Sequence, residues 1–469
     1  MLDWGLLQKL KINSVYILMT NIHTNAPTKI DNDVIFTLYN LFVEADEYVA
    51  NKARNSCFKY THTQINMISQ IPRPDMYSSH FFPKQIHEYI DETALHKIQY
   101  VCKIKHRTIN IYFVLNDDMY DTLKTRDIHF LDNYIRMMYM WIYILSAFSK
   151  ETCSKTLSVY IYLTPFKKLL PDNQLTTIDT EHVNTAYTTH CRVNNEIVVF
   201  REEEWFKVFV HETFHSFGLD FANMTNTHSV NKRLNELFNV NVDFLLFESY
   251  CEFWARTINC MMYTYLQLQL QTKNKLNYNT FEKTFNQHME HEGEHSLSQG
   301  LKILNFMGLN YKTVNKHYGK HNDDKTIFKG KKGKDKDKDK DKDKNVDVNA
   351  IDMCNYLYKE NTAVFSYYII TSLLMNNYNK FMHWCLYNNG GMDNRVMNKR
   401  GWNDNNFLQF KKTPGNIDAY IEFIDYSRCN KDILENVMKT ESSFSKTEDS
   451  NGNLDRSLRM TKLDMNNVI

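Results

Sequence analysis

The stretch NEIVVFREEEWFKVFVHETFHSFGLD, residues 195–220, carries most of what this chain says about itself. Asn195–Arg201 is rich in β-branched and aromatic residues and reads as a strand. Glu202–Phe217 then reads as a helix, with acidic residues at the end where the helix dipole favours them and Gly218 placed to end it. Inside that helix stands His211-Glu212-Thr-Phe-His215, an H-E-x-x-H motif. Positions i and i+4 share a helix face, so both imidazoles can address one metal ion. Glu212, beside the first of them, can hold and deprotonate a metal-bound water. This is the arrangement used for Zn²⁺-assisted hydrolysis. The flanks Val208, Phe209, Phe214 and Phe217 are apolar, as a buried site helix requires.

A catalytic zinc ordinarily has three protein ligands and one open position. Phe221 stands where a third histidine six residues on would fall, and Asp220 is one place short of it. The next long helical pattern supplies a better source. In Phe247-Glu248-Ser-Tyr-Cys-Glu252-Phe-Trp-Ala-Arg256, two carboxylates four apart share one face of an apolar run, and burying them unpaired is costly. Glu248 is assigned as third ligand. Glu252 is assigned as acceptor for the far nitrogen of a ligand histidine. The exchanged roles, and simple pairing with Arg256, Lys232 or Arg233, stay open. His291-Glu292-Gly293-Glu294-His295 spells the same motif. Its glycine and extra charge make it read as a solvated helical segment.

His211-Glu212-x-x-His215 with Glu248-Ser-Tyr-Cys-Glu252 downstream resembles the gluzincin branch of the zincin metallopeptidases. The phrases around both motifs are similar to zincin-like proteins of giant DNA viruses. The resemblance spans roughly residues 96–390. It implies an α+β fold with a mixed sheet and the site helix in an upper subdomain, and a helical lower subdomain. It implies one Zn²⁺ and a peptide or protein substrate. A sheet edge, Asn184–His190 or Asn195–Arg201, would hold that substrate extended. Tyr367, Tyr368 and His383, on a later apolar stretch, are candidates for stabilising the oxyanion. The competing reading is a zincin-fold binding or virion-associated protein that no longer cleaves.

Outward from the motif, Ile98–Ile104 and Ile109–Leu115 read as a hairpin, Phe130–Phe148 as a buried helix and Leu157–Leu163 as a strand. The domain reading is a helical region at 1–95, the upper subdomain at 96–218, a mostly helical unit at 219–437 and a flexible tail at 438–469. A Lys/Asp insert at 329–349, strictly alternating over Lys334–Lys344, reads as disordered.

With 56 Lys+Arg against 55 Asp+Glu the formal charge is +1, so a nucleic-acid binder is not expected. No apolar run reaches the roughly 20 residues of a membrane span. Nine scattered cysteines without a C-x-x-C pair read as reduced thiols, Cys191 among them. With no signal segment recognised at the start, an intracellular, cytoplasmic location is expected.

Overall fold

A computed structural model of the chain describes residues 31–54, 57–76, 81–126, 130–224, 227–271, 276–316, 353–390, 406–444 and 455–468. The Lys/Asp insert lies outside them. The architecture is α+β. Six strands form one sheet: β1 (Tyr60–Gln64), β2 (His96–Ile104), β3 (Arg107–Leu115), β4 (Thr156–Thr164), β5 (Ala186–Thr188) and β6 (Asn194–Arg201). The spatial order is β1-β2-β3-β4-β6-β5. The β1/β2, β2/β3 and β5/β6 pairs are antiparallel, whereas β3/β4 and β4/β6 are parallel.

The strands expected from β-branched content are present. The 95/96 boundary is corrected, because β1 lies within the supposed helical region and joins the sheet. All five β1 residues are exposed, so YTHTQ has no apolar alternation to announce a strand. The helix Asp31–Arg54 does occupy part of that region.

Alternation along β3, β4 and β6 sends side chains to two covered faces. Ile111, Val159, Ile197 and Val199 face the main core with the Phe130–Phe148 helix. Tyr160, Tyr162, Val198 and Phe200 face a smaller core with Ile86 and Ile90 of the helix Lys84–Thr93. The site helix, Trp205–Ser216, is wedged into the main core, with Phe209 and Phe214 fully buried. Each such side chain contributes about 1.5–3 kcal/mol. The hydroxyl of Thr213 on this helix accepts from Trp141 Nε1 at 2.8 Å.

The helix starts later than the acidic run suggested. Glu204 has φ of 59° and precedes the first turn. Its buried carboxylate accepts from Lys168 Nζ and from the Thr461 amide. That contact corrects the reading of a flexible tail. Lys431–Phe444 is helical, and within residues 455–468 Leu458, Met460, Thr461, Met465 and Val468 are buried. Glu292 accepts from Thr461 Oγ1, Lys462 N and Leu463 N at 2.9, 2.7 and 3.0 Å. Backbone amides of Thr461, Lys462 and Leu463, with the Thr461 hydroxyl, satisfy the buried carboxylates.

The second H-E-x-x-H is helical and only half solvated: His291 and Glu294 are exposed, while Glu292 and Gly293 are buried. Glu292 is 1 % exposed, and His295 Nε2 lies 3.0 Å from Arg459 O. Gly293 lets the Tyr278–Phe306 helix approach another backbone, since a Cβ there would lie 3.3 Å from Met375 O.

Two cysteine pairs, Cys57–Cys102 and Cys153–Cys191, are disulfides, which corrects the all-thiol reading. Partners 45 and 38 residues apart carry no local motif. Among the described residues the other five cysteines are free. No helix of the described residues is long and apolar enough to cross a membrane.

Acid should loosen this interior. Burial alone would raise the Glu204 carboxyl, but the charges of Lys168, Lys207 and Arg459 outweigh it and hold the group at about 2, against an ordinary 4.5. A carboxyl depressed on folding stabilises fully above its unfolded value and loses that contribution as pH falls through the folded one. Denaturation of the native chain should therefore lose on the order of 3 kcal/mol between pH 4.5 and 2 from this group. In Glu204→Gln that portion of the pH dependence should vanish.

Candidate metal centre

The Trp205–Ser216 helix and the Leu246–Gln271 helix pack against each other and bring three side-chain atoms together. His211 Nε2 lies 3.2 Å from His215 Nε2 and 3.1 Å from Glu248 Oε2. His215 Nε2 lies 3.3 Å from the same oxygen. A tetrahedral ion with bonds of 2.0–2.1 Å separates its ligand atoms by about 3.3 Å. The ring centroids of the two histidines are 5.0 Å apart, farther than their Nε2 atoms, so the rings converge.

The opposite nitrogens are both held by carboxylates. His211 Nδ1 lies 3.1 Å from Glu252 Oε2, and His215 Nδ1 lies 2.7 Å from Asp220 Oδ2. An ionised carboxylate can only accept, so each Nδ1 carries a proton. Each neutral ring then turns a lone pair from Nε2 towards the Glu248 oxygen. Three acceptors facing one another with no donor between them call for a cation. Without one, burial disfavours charge on His211, but Glu248 and Glu252 raise its pKa above the ordinary value. His215 is raised further, against burial, by Cys251, Glu248 and Asp220. Protonating both would set two N–H groups against each other across 3.2 Å. A shared metal ion removes that conflict, and the residues present fit zinc.

Glu248 and Glu252 thus take different places. Glu248 faces both Nε2 atoms, and Glu252 backs His211 and accepts from Lys207 Nζ. Neither carboxylate pairs with Arg256, whose partner is Glu292, and Arg233 instead pairs with Asp418. Against the cost of burial, neighbouring imidazoles hold Glu248 below the ordinary carboxylate range. Glu252 is lowered to about 2, mainly by Lys207 and His211. Glu212 is raised by its burial, which outweighs the pull of the two histidines.

A cavity of ≈ 900 Å³ opens onto His211, Glu212, His215 and Glu248. One wall is the sheet edge, with Asn184 and Ala186–Thr188 of β5. The other includes Phe247, Glu360 and Tyr367. Of the two strands proposed to hold a peptide, β5 is an edge of the sheet. Asn195–Arg201 lies in β6, between β4 and β5, which corrects its reading as an edge.

The three oxyanion candidates separate. Tyr367 lines the cavity with its ring 5.8 Å from that of His211. Burial first, then the charges of Glu248, Glu212 and Glu252, keep its phenol protonated. It sits in a π-helical turn, Phe365–Ile370, a geometry found frequently at functional sites. Tyr368 points elsewhere and donates to Leu458 O at 2.7 Å. His383, on the helix Tyr378–Gly390, does not line the cavity. Both are corrected as candidates: of two tyrosines at adjacent helical positions only one faces the site, and His383 stands on a different helix away from the cavity lining.

Sequence reasoning gave no site role to His190 or Lys207 and weighed Asp220 only as a third ligand. Asp220, 0 % exposed, holds His215 and also lies 3.2 Å from His190 Nδ1. The signal was present: a lone acid in Gly-Leu-Asp-Phe directly after the motif. Gly218 sets up this connection with φ of +70°, and a Cβ there would lie 3.1 Å from the disulfide-bonded Cys191 Cβ. Gly218→Ala should lose about 1–3 kcal/mol in urea unfolding, from left-handed strain plus that contact.

Among the described residues, a second group could also hold an ion: His215, Asp220 and Cys251. There the His215–Asp220 separation of 2.7 Å is that of a hydrogen bond rather than of two ligands on one ion. No protein-family model, curated protein or solved structure matches this chain.

Proposed function

We propose that the protein is a zinc-dependent peptidase of zincin-like, gluzincin type. The observation carrying this is the convergence of His211 Nε2, His215 Nε2 and Glu248 Oε2 at tetrahedral spacing in a cavity that Glu212 also lines. An antiparallel edge strand beside the H-E-x-x-H helix supports the zincin-like reading.

His211, His215 and Glu248 would hold the ion. Zinc bound there supplies a Lewis acid that polarises the scissile carbonyl and acidifies water. Glu212 takes the proton of the attacking water and delivers it to the leaving amine. Tyr367 donates a hydrogen bond to the carbonyl oxygen as charge develops on it. The outer edge of β5 pairs with the peptide main chain, which accommodates varied side chains.

A scaffold that binds without cleaving gives Glu212 no task, so the peptidase reading is preferred. The two disulfides fit an oxidising compartment better than the reducing cytoplasm expected from sequence.

The test is digestion of a denatured-protein or peptide library by zinc-loaded protein. Cleavage should stop with a chelator and return with added zinc; a zinc-loaded protein that cleaves nothing in the library would refute the proposal. In the same assay Tyr367→Phe should lower kcat about 10²-fold with little change in KM.

A further inference from the structure

We propose that Lys207 is a positioning residue for the metal centre, acting through Glu252 on His211. This rests on the zinc reading above. Lys207 stands one turn before His211 on the same helix, and so on the same face. Its Nζ donates to both oxygens of Glu252, at 2.9 and 3.2 Å. Glu252 Oε2 in turn meets His211 Nδ1 at 3.1 Å. Lys207 and Glu252 side chains are each 2 % exposed. Beyond the carboxylate, the ammonium touches Met460 Sδ at 3.3 Å, brought in by the C-terminal segment.

A lysine is almost never fully buried unless paired, and a well-packed apolar pair is often at least as stable as a buried ion pair. Stability alone therefore does not call for Lys207 among the apolar residues that begin this helix. Its placement has a specific consequence. Glu252 reaches His211 from another helix through one oxygen only, and a carboxylate held at a single contact is free to rotate about its last bond. Lys207 engages both Glu252 oxygens, so the carboxylate is fixed in orientation. A fixed Glu252 accepts from His211 Nδ1 and so holds the imidazole with Nε2 aimed at the ion. His215 has a different anchor, since Asp220 is backed by His190.

The molecule contains its own control. Lys168 is equally buried and pairs with Glu204, near the start of the same helix, yet neither of these two touches a ligand histidine. Both lysines belong to the buried charge network. Only Lys207 is one step from the centre.

The experiment is zinc affinity by chelator competition on the full chain, with the visible spectrum of the cobalt-substituted protein as a second readout. Lys207→Met should weaken zinc binding about 10- to 100-fold and change the cobalt bands. Lys168→Met should lose stability but keep wild-type affinity and spectrum. In a Glu252→Gln background, Lys207→Met should change affinity by less than about twofold, because its effect runs through Glu252. That double variant removes both charges together and remains readable if Lys207→Met alone does not fold. Wild-type affinity in Lys207→Met, an equal loss in Lys168→Met, or a full additional loss in the Glu252→Gln background would each overturn the role given to Lys207. A wild-type protein that takes up no zinc would overturn the zinc reading itself, and this inference with it.

Discussion

Glu212→Gln should abolish peptide hydrolysis while leaving the metal in place. The Glu212 carboxyl is not one of the three converging atoms, and it faces the cavity from the same helix as both histidines. An amide keeps the size of the side chain but cannot take a proton from water. A general base contributes about 10²–10⁴-fold. Here the same group also protonates the leaving amine, so kcat should fall by at least about 10³-fold, or about 4 kcal/mol of barrier. KM should stay within a few-fold, because the cavity walls are untouched. Zinc content, measured on the same sample by elemental analysis, should equal that of the wild type. Equal turnover in the two proteins would remove the peptidase reading even with zinc bound.

The second large effect concerns the two carboxylates of the Leu246–Gln271 helix. Glu248→Ala deletes one of three ligand atoms, whereas Glu252→Ala deletes only the group behind His211. Losing a hydrogen-bond partner of a ligand costs about 10–100-fold in metal affinity. Glu248→Ala should exceed that range and yield protein purified essentially without zinc. Glu252→Ala should retain measurable binding, together with lower stability from an unpaired Lys207. The reverse ranking would transfer the third-ligand role to Glu252.

What sequence could show followed the reach of each interaction. The H-E-x-x-H pair was legible because i, i+4 geometry within one helix is local. The carboxylate pair was legible because two acids on an apolar helix face need cations wherever they lie. Strands β2, β3, β4 and β6 announce themselves through β-branched residues facing buried layers. Strand β1 does not, because an exposed edge imposes no alternation. The roles of Lys207 and of Asp220 behind His215 were not legible, because they depend on partners. One partner is 45 residues away on another helix, and the other turns back onto His215 through Gly218. Tyr367 and Tyr368 are adjacent in sequence, and only helical phase distinguishes the cavity wall from the contact with Leu458. The segment at 455–468 misled most. Its polar residues are those of a solvated tail, and most stay at least partly exposed; the segment is held because Glu204 and Glu292 are inside and accept from its backbone amides, while Leu458, Met460 and Met465 are buried.

The Cys153–Cys191 disulfide also connects to the site. Cys191 N donates to His215 O at 3.1 Å, and His190, its neighbour, backs Asp220. The cross-link therefore fixes the chain that carries the second oxygen contact of the His215 anchor. The site helix is thus held by the C-terminal segment near its start and by the disulfide loop at its end.

The most direct measurement is X-ray absorption at the zinc edge on zinc-reconstituted protein. The expected result is one ion per chain with two imidazole nitrogens and oxygen ligands at about 2.0–2.1 Å, and no sulfur. A sulfur scatterer at about 2.3 Å would contradict the account, because it would move the ion to His215, Asp220 and Cys251 and away from Glu212.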